Sequence, residues 1–240
     1  MSQVFRRELY GRVSPEDYER EIKRLYGGNL ELYKENVREL LDMGNFHNFS
    51  LVLELCCGTG LATQEIVKRH HLTLRACDAN ISYLNYAREH VKREYFDFYE
   101  PCIPLEFFHA DITKWDIKSL KEENSIVIMC NAMTEILDDV PIFDIAHAQL
   151  FKEGLFLFNV KVVDGKKSYP AQLFEAITEK YPKEFPEGST IVDFVTPTKT
   201  KEEIYTLLSQ KKFSLHTCKE KEYNFLNSRT FRHNISQNYL

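Results

Sequence analysis

Three acidic residues and a pair of glycines are the first candidates for chemistry in this 240-residue chain. In Glu54-Leu55-Cys56-Cys57-Gly58-Thr59-Gly60 an acid lies near the end of a short apolar run and two closely spaced glycines follow. Such a turn lets backbone come close to a ligand where side chains would block it, and a helix from Leu61 would offer its first N–H groups there. A purely structural strand–helix turn reads from the same residues. Asp78 strengthens the ligand reading. It follows Glu54 by about 24 residues, at the end of the next strand, where a carboxylate can accept both hydrogen bonds of a ribose diol. Its bland role would be a helix N-cap, but Asn80 already fills that position. Asp111, in Ala110-Asp111-Ile112, ends a third strand and can accept from the exocyclic amine of adenine while the Ile112 N–H meets a ring nitrogen. Singly each acid is ordinary. At three successive strand ends they outline a nucleoside-binding edge.

These residues need a scaffold of alternating strands and helices, and the pattern supplies one. Apolar strands are expected over 51–55, 72–77, 105–109, 125–130 and 155–160. Helices are expected over 61–70, after the cap Asn80, and over 136–151 despite Pro141. Continuous apolar strands separated by helices predict a parallel sheet covered on both faces, an α/β fold. Ahead of it, Ser14-Pro15-Glu16-Asp17 reads as a helix start, with Gly27-Gly28 as its stop. Asn29 caps a second helix with Leu30, Tyr33, Val37, Leu40 and Leu41 on one face, ending near Gly44. Beyond Val163 the alternation breaks. A further helix is expected over 200–211, and residues 213–218 and 224–235 could pair as closing strands. One domain over 1–240 is the simplest organisation, with a helical N-terminal extension at 1–46 and a substrate-side insertion at 164–198.

At this point the residues resemble a known family. Val52-Leu53-Glu54-Leu55-Cys56-Cys57-Gly58-Thr59-Gly60 is similar to the signature turn of class I S-adenosylmethionine (SAM)-dependent methyltransferases. Cys77-Asp78-Ala79-Asn80, with Leu84 and Ala87-Arg88 behind it, resembles their second motif, and His109-Ala110-Asp111-Ile112 their third. Leu150-Phe151-Lys152-Glu153-Gly154-Leu155 resembles the turn before their fifth strand. The resemblance covers roughly 51–160, about half the chain, with order and spacing kept. It implies a Rossmann-like, seven-stranded, mostly parallel sheet with helices on both faces, holding SAM across the strand C-terminal ends. It also implies that Glu54 orients the methionine part, that Gly58 and Gly60 let the ligand lie on backbone, and that Asp78, next to Ala79, holds the ribose. Asp111 and Ile112 would hold the adenine, and the backbone of Cys130 and Asn131 would face the methionine amine.

One position departs from the family. Cys56 stands where the first glycine of the turn is usual, which a small side chain tolerates if its φ is negative. A redox or metal role for Cys56 and Cys57 is the competing reading. A nicotinamide site would carry a third glycine where Leu61-Ala62-Thr63 stands, and no Gly-Lys-Ser/Thr marks a P-loop.

On the acceptor side, methyl transfer needs positioning above all, and a base only if the acceptor must lose a proton early. Glu135 and Asn131, at the exit of the fourth strand, are the polar groups placed for catalysis, although Glu135 also suits the first turn of the next helix. Tyr10, ahead of the first helix, is a candidate SAM contact. Tyr169 and Tyr181 could belong to a lid or pack simply as aromatics. His109 is expected in the core and His147 in packing or at the surface. Asp138-Asp139 point in different directions on a helix, so no metal is expected. The exit Asn131-Ala132-Met133-Thr134-Glu135 lacks the Asn-Pro-Pro-Tyr pattern of certain nucleic-acid and protein amide methyltransferases.

Composition narrows the partners. The net charge is -5, with Lys and Arg dispersed, so no basic stripe points to nucleic acid. Six Cys without a CxxC pair read as reduced thiols of a cytoplasmic protein. No apolar run has the roughly 20 residues of a membrane span, and the first eight residues carry no apolar signal core. The expected activity is SAM-dependent methylation of an O or N atom of a small-molecule acceptor. A protein or tRNA methyltransferase, or a non-catalytic SAM-fold binding subunit, is the alternative. The sequence leaves the oligomeric state open, a homodimer included.

Overall fold

A computed structural model describes residues 13–26, 28–44, 51–69, 72–96, 105–121, 123–132, 141–160, 200–215 and 218. Two helices lead: α1 (Pro15–Leu25) and α2 (Leu30–Asp42). Both start as their sequences predict. The Ser14 hydroxyl accepts from the Asp17 N–H at 3.1 Å, and the Asn29 side chain accepts from the Glu31 N–H at 2.9 Å. There follow β1 (Leu51–Leu55), α3 (Leu61–Arg69), β2 (Thr73–Asp78), α4 (Ile81–Phe96), β3 (Leu105–His109) and β4 (Asn124–Met129). Next come α5 (Ile142–Gln149), β5 (Leu150–Phe158) and α6 (Lys201–Gln210). Between β3 and β4 lie two short 3-10 turns, Ile112–Lys114 and Ile117–Ser119.

The strands form one sheet in the order β3-β2-β1-β4-β5, every neighbouring pair parallel. β1 is central, and Glu54 sits opposite Ala76 on one side and Ile128 on the other. The chain runs outward from β1 through β2 to β3, then returns to lay β4 on the other side. That reversal creates a crevice at the C-terminal ends of β1 and β4, where open α/β sheets bind ligands. The closing pair of strands expected at 213–218 and 224–235 falls largely outside the described residues; Phe213, Ser214 and Leu215 form no strand.

Both faces are covered, as an all-parallel sheet requires. Val52, Leu74, Ala76, Ile126 and Ile128 pack beneath α2, α3 and α4, where Val37, Leu41, Ile66, Leu84 and Val91 are buried. Leu53, Leu55, Cys77, Val127 and Met129 pack against Ile142, Ile145 and Ala146 of α5 and Ile204 and Leu208 of α6. Helix α2 is therefore part of the core, and the partly buried Ile22 of α1 and Tyr26 just after it pack against that core. At about 1.5–3 kcal/mol per fully buried large apolar side chain, Val37, Leu40 and Leu41 hold α2 firmly on this face. Arg38 adds a link, bonding to Glu31 on its own helix and to Glu65 of α3 at 3.1 Å.

Two boundaries differ from expectation. The fourth helix-to-strand junction falls at Leu150, so α5 is shorter than 136–151 and β5 begins well before 155. Pro141 occupies the N-cap of α5, consistent with its inability to sit deeper in a helix. The early start of β5 is held by Asn124, whose amide donates to the Gln149 carbonyl and side-chain oxygens, and the register shifts between Asn124 and Ile126.

Candidate active site

The turn after β1 is built by hydrogen bonds to its neighbours. The Cys57 N–H donates to the Cys77 carbonyl at 2.9 Å, tying the turn to the end of β2. The Gly58 N–H donates to Asp78 Oδ2 at 2.8 Å, while Asp78 Oδ1 accepts from the Asn80 N–H at 2.8 Å. Asp78 thus joins two strand exits and also starts α4, a structural share in addition to any ligand it meets. Burial pushes its carboxyl up, against the opposing pull of those N–H donors and of His109.

The two glycines answer different demands. Gly58 has φ +56, and a Cβ there would meet nothing nearer than the Tyr18 ring at 4.0 Å. Its backbone faces open space. Gly60 has φ +85, and a Cβ would lie 2.8 Å from Val91 Cγ2 and 2.9 Å from Ala87 Cβ. What Gly60 provides is the close approach of α4. Cys56 corrects the sequence reading. Its φ is +56, the left-handed region that costs a residue with a Cβ about 1–2 kcal/mol, where a negative angle had been expected.

A cleft opens at the crevice between β1 and β4. Glu54, Cys56 and Gly58 line it from β1 and its turn, and Cys130 and Asn131 from the end of β4. The structure thus brings together five of the residues singled out from sequence. Tyr18 of α1 and Tyr33 of α2 complete the lining, and neither was singled out as a site residue. Tyr33 showed only as a member of the apolar face of α2, and Tyr18 as one aromatic in a strongly charged helix.

Glu54 is 1% exposed. Its Oε2 accepts the Thr63 hydroxyl at 2.7 Å. Burial pushes its carboxyl up to about 8, against the lowering effect of Thr63, and the nearby Asp78 raises it further. Asn131 also adopts a left-handed backbone, φ +59. Its N–H donates to Asn159 Oδ1 at 2.6 Å, and its Oδ1 accepts from Asn159 Nδ2 at 2.5 Å. Its own Nδ2 is buried without a well-formed hydrogen bond, beside the Tyr33 hydroxyl.

Helix α1 roofs the turn. Tyr18 packs on Tyr83 of α4 with ring centroids 5.0 Å apart, and Glu19 lies beside Thr59 and accepts from the Tyr86 hydroxyl at 3.3 Å.

The remaining candidates among the described residues lie apart from the cleft lining. Asp111 caps the first 3-10 turn, accepting from the Thr113 N–H at 3.0 Å and its hydroxyl at 2.6 Å, with Lys114 at 3.1 Å. Burial pushes its carboxyl up, but these partners outweigh it and hold it below the usual value. Ile112 is buried on the α5 face of the sheet, and Ala79 is exposed. His109, expected in the core, is exposed on β3, which is the edge of the sheet among the described residues; its Nε2 bonds the Ala79 carbonyl at 2.9 Å. His147 is exposed on α5 and packs edge-on against Phe213. Tyr10, Glu135, Asp138, Asp139, Tyr169 and Tyr181 lie outside the described residues. Cys57, Cys77 and Cys130 are buried free thiols, and among the described residues no cluster of His, Cys, Asp or Glu could hold a metal ion.

Residues 52–154 match the family model of a methyltransferase domain. The fold is similar to that of magnesium protoporphyrin IX methyltransferase from Synechocystis PCC 6803 with bound S-adenosylhomocysteine. That similarity has 14% identity, 85% of this chain, 87% of that one and a TM-score of 0.57. Over residues 52–154 the chain is similar to a methyltransferase domain. Similar folds include an O-methyltransferase family protein from Burkholderia thailandensis (13% identity, 80% of this chain and 54% of that one, TM-score 0.56). Another is geranyl diphosphate C-methyltransferase from Streptomyces coelicolor A3(2), with Mg2+, geranyl diphosphate and S-adenosylhomocysteine (12% identity, 81% of this chain and 66% of that one, TM-score 0.55). No curated protein matches this chain by sequence. No helix among the described residues is long and apolar enough to cross a membrane.

Proposed function

We propose that this chain transfers the methyl group of SAM to an oxygen or nitrogen atom of a small-molecule acceptor. The observation that carries the reading is the cleft itself, which Tyr18 of α1 and Tyr33 of α2 line beside the glycine turn. A cleft lined by aromatic side chains suits a small ligand. The dispersed positive charge and net charge of -5 also favour a small acceptor over nucleic acid.

The residues fit the donor. Glu54, the buried Asn131 amide and the open backbone at Gly58 would receive its amino-acid end, with the backbone of Cys130 beside them. Asp78 spends one lone pair of each oxygen on backbone N–H groups. A carboxylate has about four such positions, so it keeps acceptor capacity for a ribose hydroxyl. Asp111 and Ile112, with Ala79 between the two strand exits, would meet the adenine. Gly60 supports the site by letting α4 approach, and Tyr10 would close it from the N-terminal side.

When bound, SAM supplies an electrophilic methyl group on a sulfonium. The protein's task is alignment of the acceptor in line with it, and exclusion of water. Asn131 positions; an amide does not take a proton at neutral pH. An acceptor that must lose a proton early needs a base, and Glu135 is the candidate.

The test is incubation of the purified protein with methyl-labelled SAM and cell extract, fractionated by size. Label in the small-molecule fraction is expected. Label found only in protein or RNA would overturn the acceptor class, and SAM binding without any transfer would leave a binding subunit.

A further inference from the structure

We propose that Tyr33 is the hydrogen-bond donor that the cleft offers to a lone pair of its ligand, and that Asn159 is the positioning residue that frees the Tyr33 proton for this role. Both roles rest on the methyl donor lying in the cleft between β1 and β4.

One obligatory donor orders the whole series of groups. The Asn131 backbone N–H can only donate, and it does so to Asn159 Oδ1 at 2.6 Å. Asn159 is then left with Nδ2 toward the Asn131 side chain, where it donates to Oδ1 at 2.5 Å. Exchanging O and N in either amide would set donor against donor, so a backbone group decides both orientations. Asn131 holds a left-handed turn, φ +59, which asparagine tolerates better than most residues with a Cβ. What remains of its side chain is Nδ2, buried, with the Tyr33 hydroxyl beside it.

Tyr33 ends the series. It reaches the cleft from α2 and is 7% exposed. Burial pushes its phenol far up, so it keeps its proton and acts as a donor, not a base. A hydroxyl has one proton and two lone pairs, whereas the NH2 group beside it has only protons to give. The Tyr33 oxygen therefore accepts on the Asn131 side, and its own proton is left for whatever fills the cleft. Such a donor receives a carboxylate or hydroxyl oxygen and turns away an ammonium. Neither Tyr33 nor Asn159 lies within residues 52–154, so the match to a methyltransferase domain assigns nothing to either.

A double-mutant cycle on the binding of S-adenosylhomocysteine, which carries carboxylate and hydroxyl oxygens, tests this by calorimetry. Tyr33→Phe keeps the ring against Tyr26 but removes the donor, and affinity should fall about tenfold. Asn159→Asp still accepts from the Asn131 N–H, so the melting temperature of the ligand-free protein should stay near that of the wild type. Its carboxylate cannot donate, however, so the Asn131 amide turns its NH2 to it and its carbonyl to Tyr33, which captures the Tyr33 proton. Affinity should again fall about tenfold, and the same change in the Tyr33→Phe background should cost less than about twofold. A new charge acting by itself would add its loss in both backgrounds. If Asn159→Asp does not fold, Asn159→Ala takes its place in the cycle with the same expectation. Wild-type affinity in Tyr33→Phe would overturn the donor role, and additive losses would overturn the positioning role of Asn159. Absence of S-adenosylhomocysteine binding by the wild type would instead overturn the placement of the methyl donor, and both roles with it.

Discussion

Glu54 and Asp111 are both acids at the C-terminal edge of one parallel sheet, and their surroundings drive them in opposite directions. Asp111 follows an edge strand, its side chain 28% exposed, with two donors from Thr113 and the Lys114 ammonium at hand. It is held as a carboxylate. Glu54 lies on the central strand, with one hydroxyl for company and a second acid nearby, and burial keeps it neutral. Position in the sheet decides the charge state, because an edge strand leaves room for water and a lysine while a central one does not.

The largest effect should come from breaking that difference with pH. The Glu54 carboxyl is raised above its unfolded value of 4.5, to about 8. Below the unfolded value both states are protonated and nothing is lost. As pH rises from there to about 8 the unfolded chain ionises and the folded one does not, so stability falls by about 1.4 kcal/mol per unit. Urea unfolding of the ligand-free protein should show this loss, several kcal/mol in total, and Glu54→Gln should lack it. Parallel curves for the two proteins would remove Glu54 as the cause.

Asp78 lies between the two extremes, and replacing it sharpens the contrast. Asp78→Ala strands the N–H groups of Gly58 and Asn80, a cost of about 1–3 kcal/mol. It should also abolish the rise in Tm that S-adenosylhomocysteine gives the wild type. A normal ligand-induced shift would confine Asp78 to its structural bonds.

Asp111→Ala should cost about 1 kcal/mol, the value of an N-cap. The Asp111 carboxyl is held low, so its contribution is present at neutral pH and lost as pH falls through its folded value, below the usual carboxylate range. Thermal melts at pH 7 and pH 3 should therefore differ for the wild type against the variant, with the gap closing in acid. A constant gap would assign the loss to packing.

The smallest change is Cys56→Gly. It relieves a left-handed residue but loosens the unfolded chain, for a net gain of up to about 1 kcal/mol. A fall in Tm would mean that the thiol packs better than its backbone angle costs.

Much of this was legible in the residues. Caps at Ser14 and Asn29, the apolar strand runs, and the acids at strand ends all depend on local chemistry, and the structure places them as read. The parallel sheet covered on both faces followed from strands apolar throughout. The misreadings have non-local causes. Leu150 joins β5 because Asn124, far back in the chain, grips Gln149. His109 is exposed because β3 has a single strand neighbour among the described residues, which a five-residue pattern does not reveal. Tyr18 carried no sign of its place in the roof, since its helix is otherwise charged and its contacts with Tyr83 and the glycine turn are tertiary. Cys56 looked tolerable because residue type alone does not report the sign of φ.

The strand order has a kinetic side. The cleft needs the segment from Glu54 to Gly58 and the segment from Cys130 to Asn131, and these become neighbours only when β4 docks beside β1. Everything between them must be spanned first, a contact of high sequence separation that forms slowly. The ligand site is thus among the last parts of the sheet to assemble during folding. A chain released before β4 would carry the whole glycine signature and bind nothing.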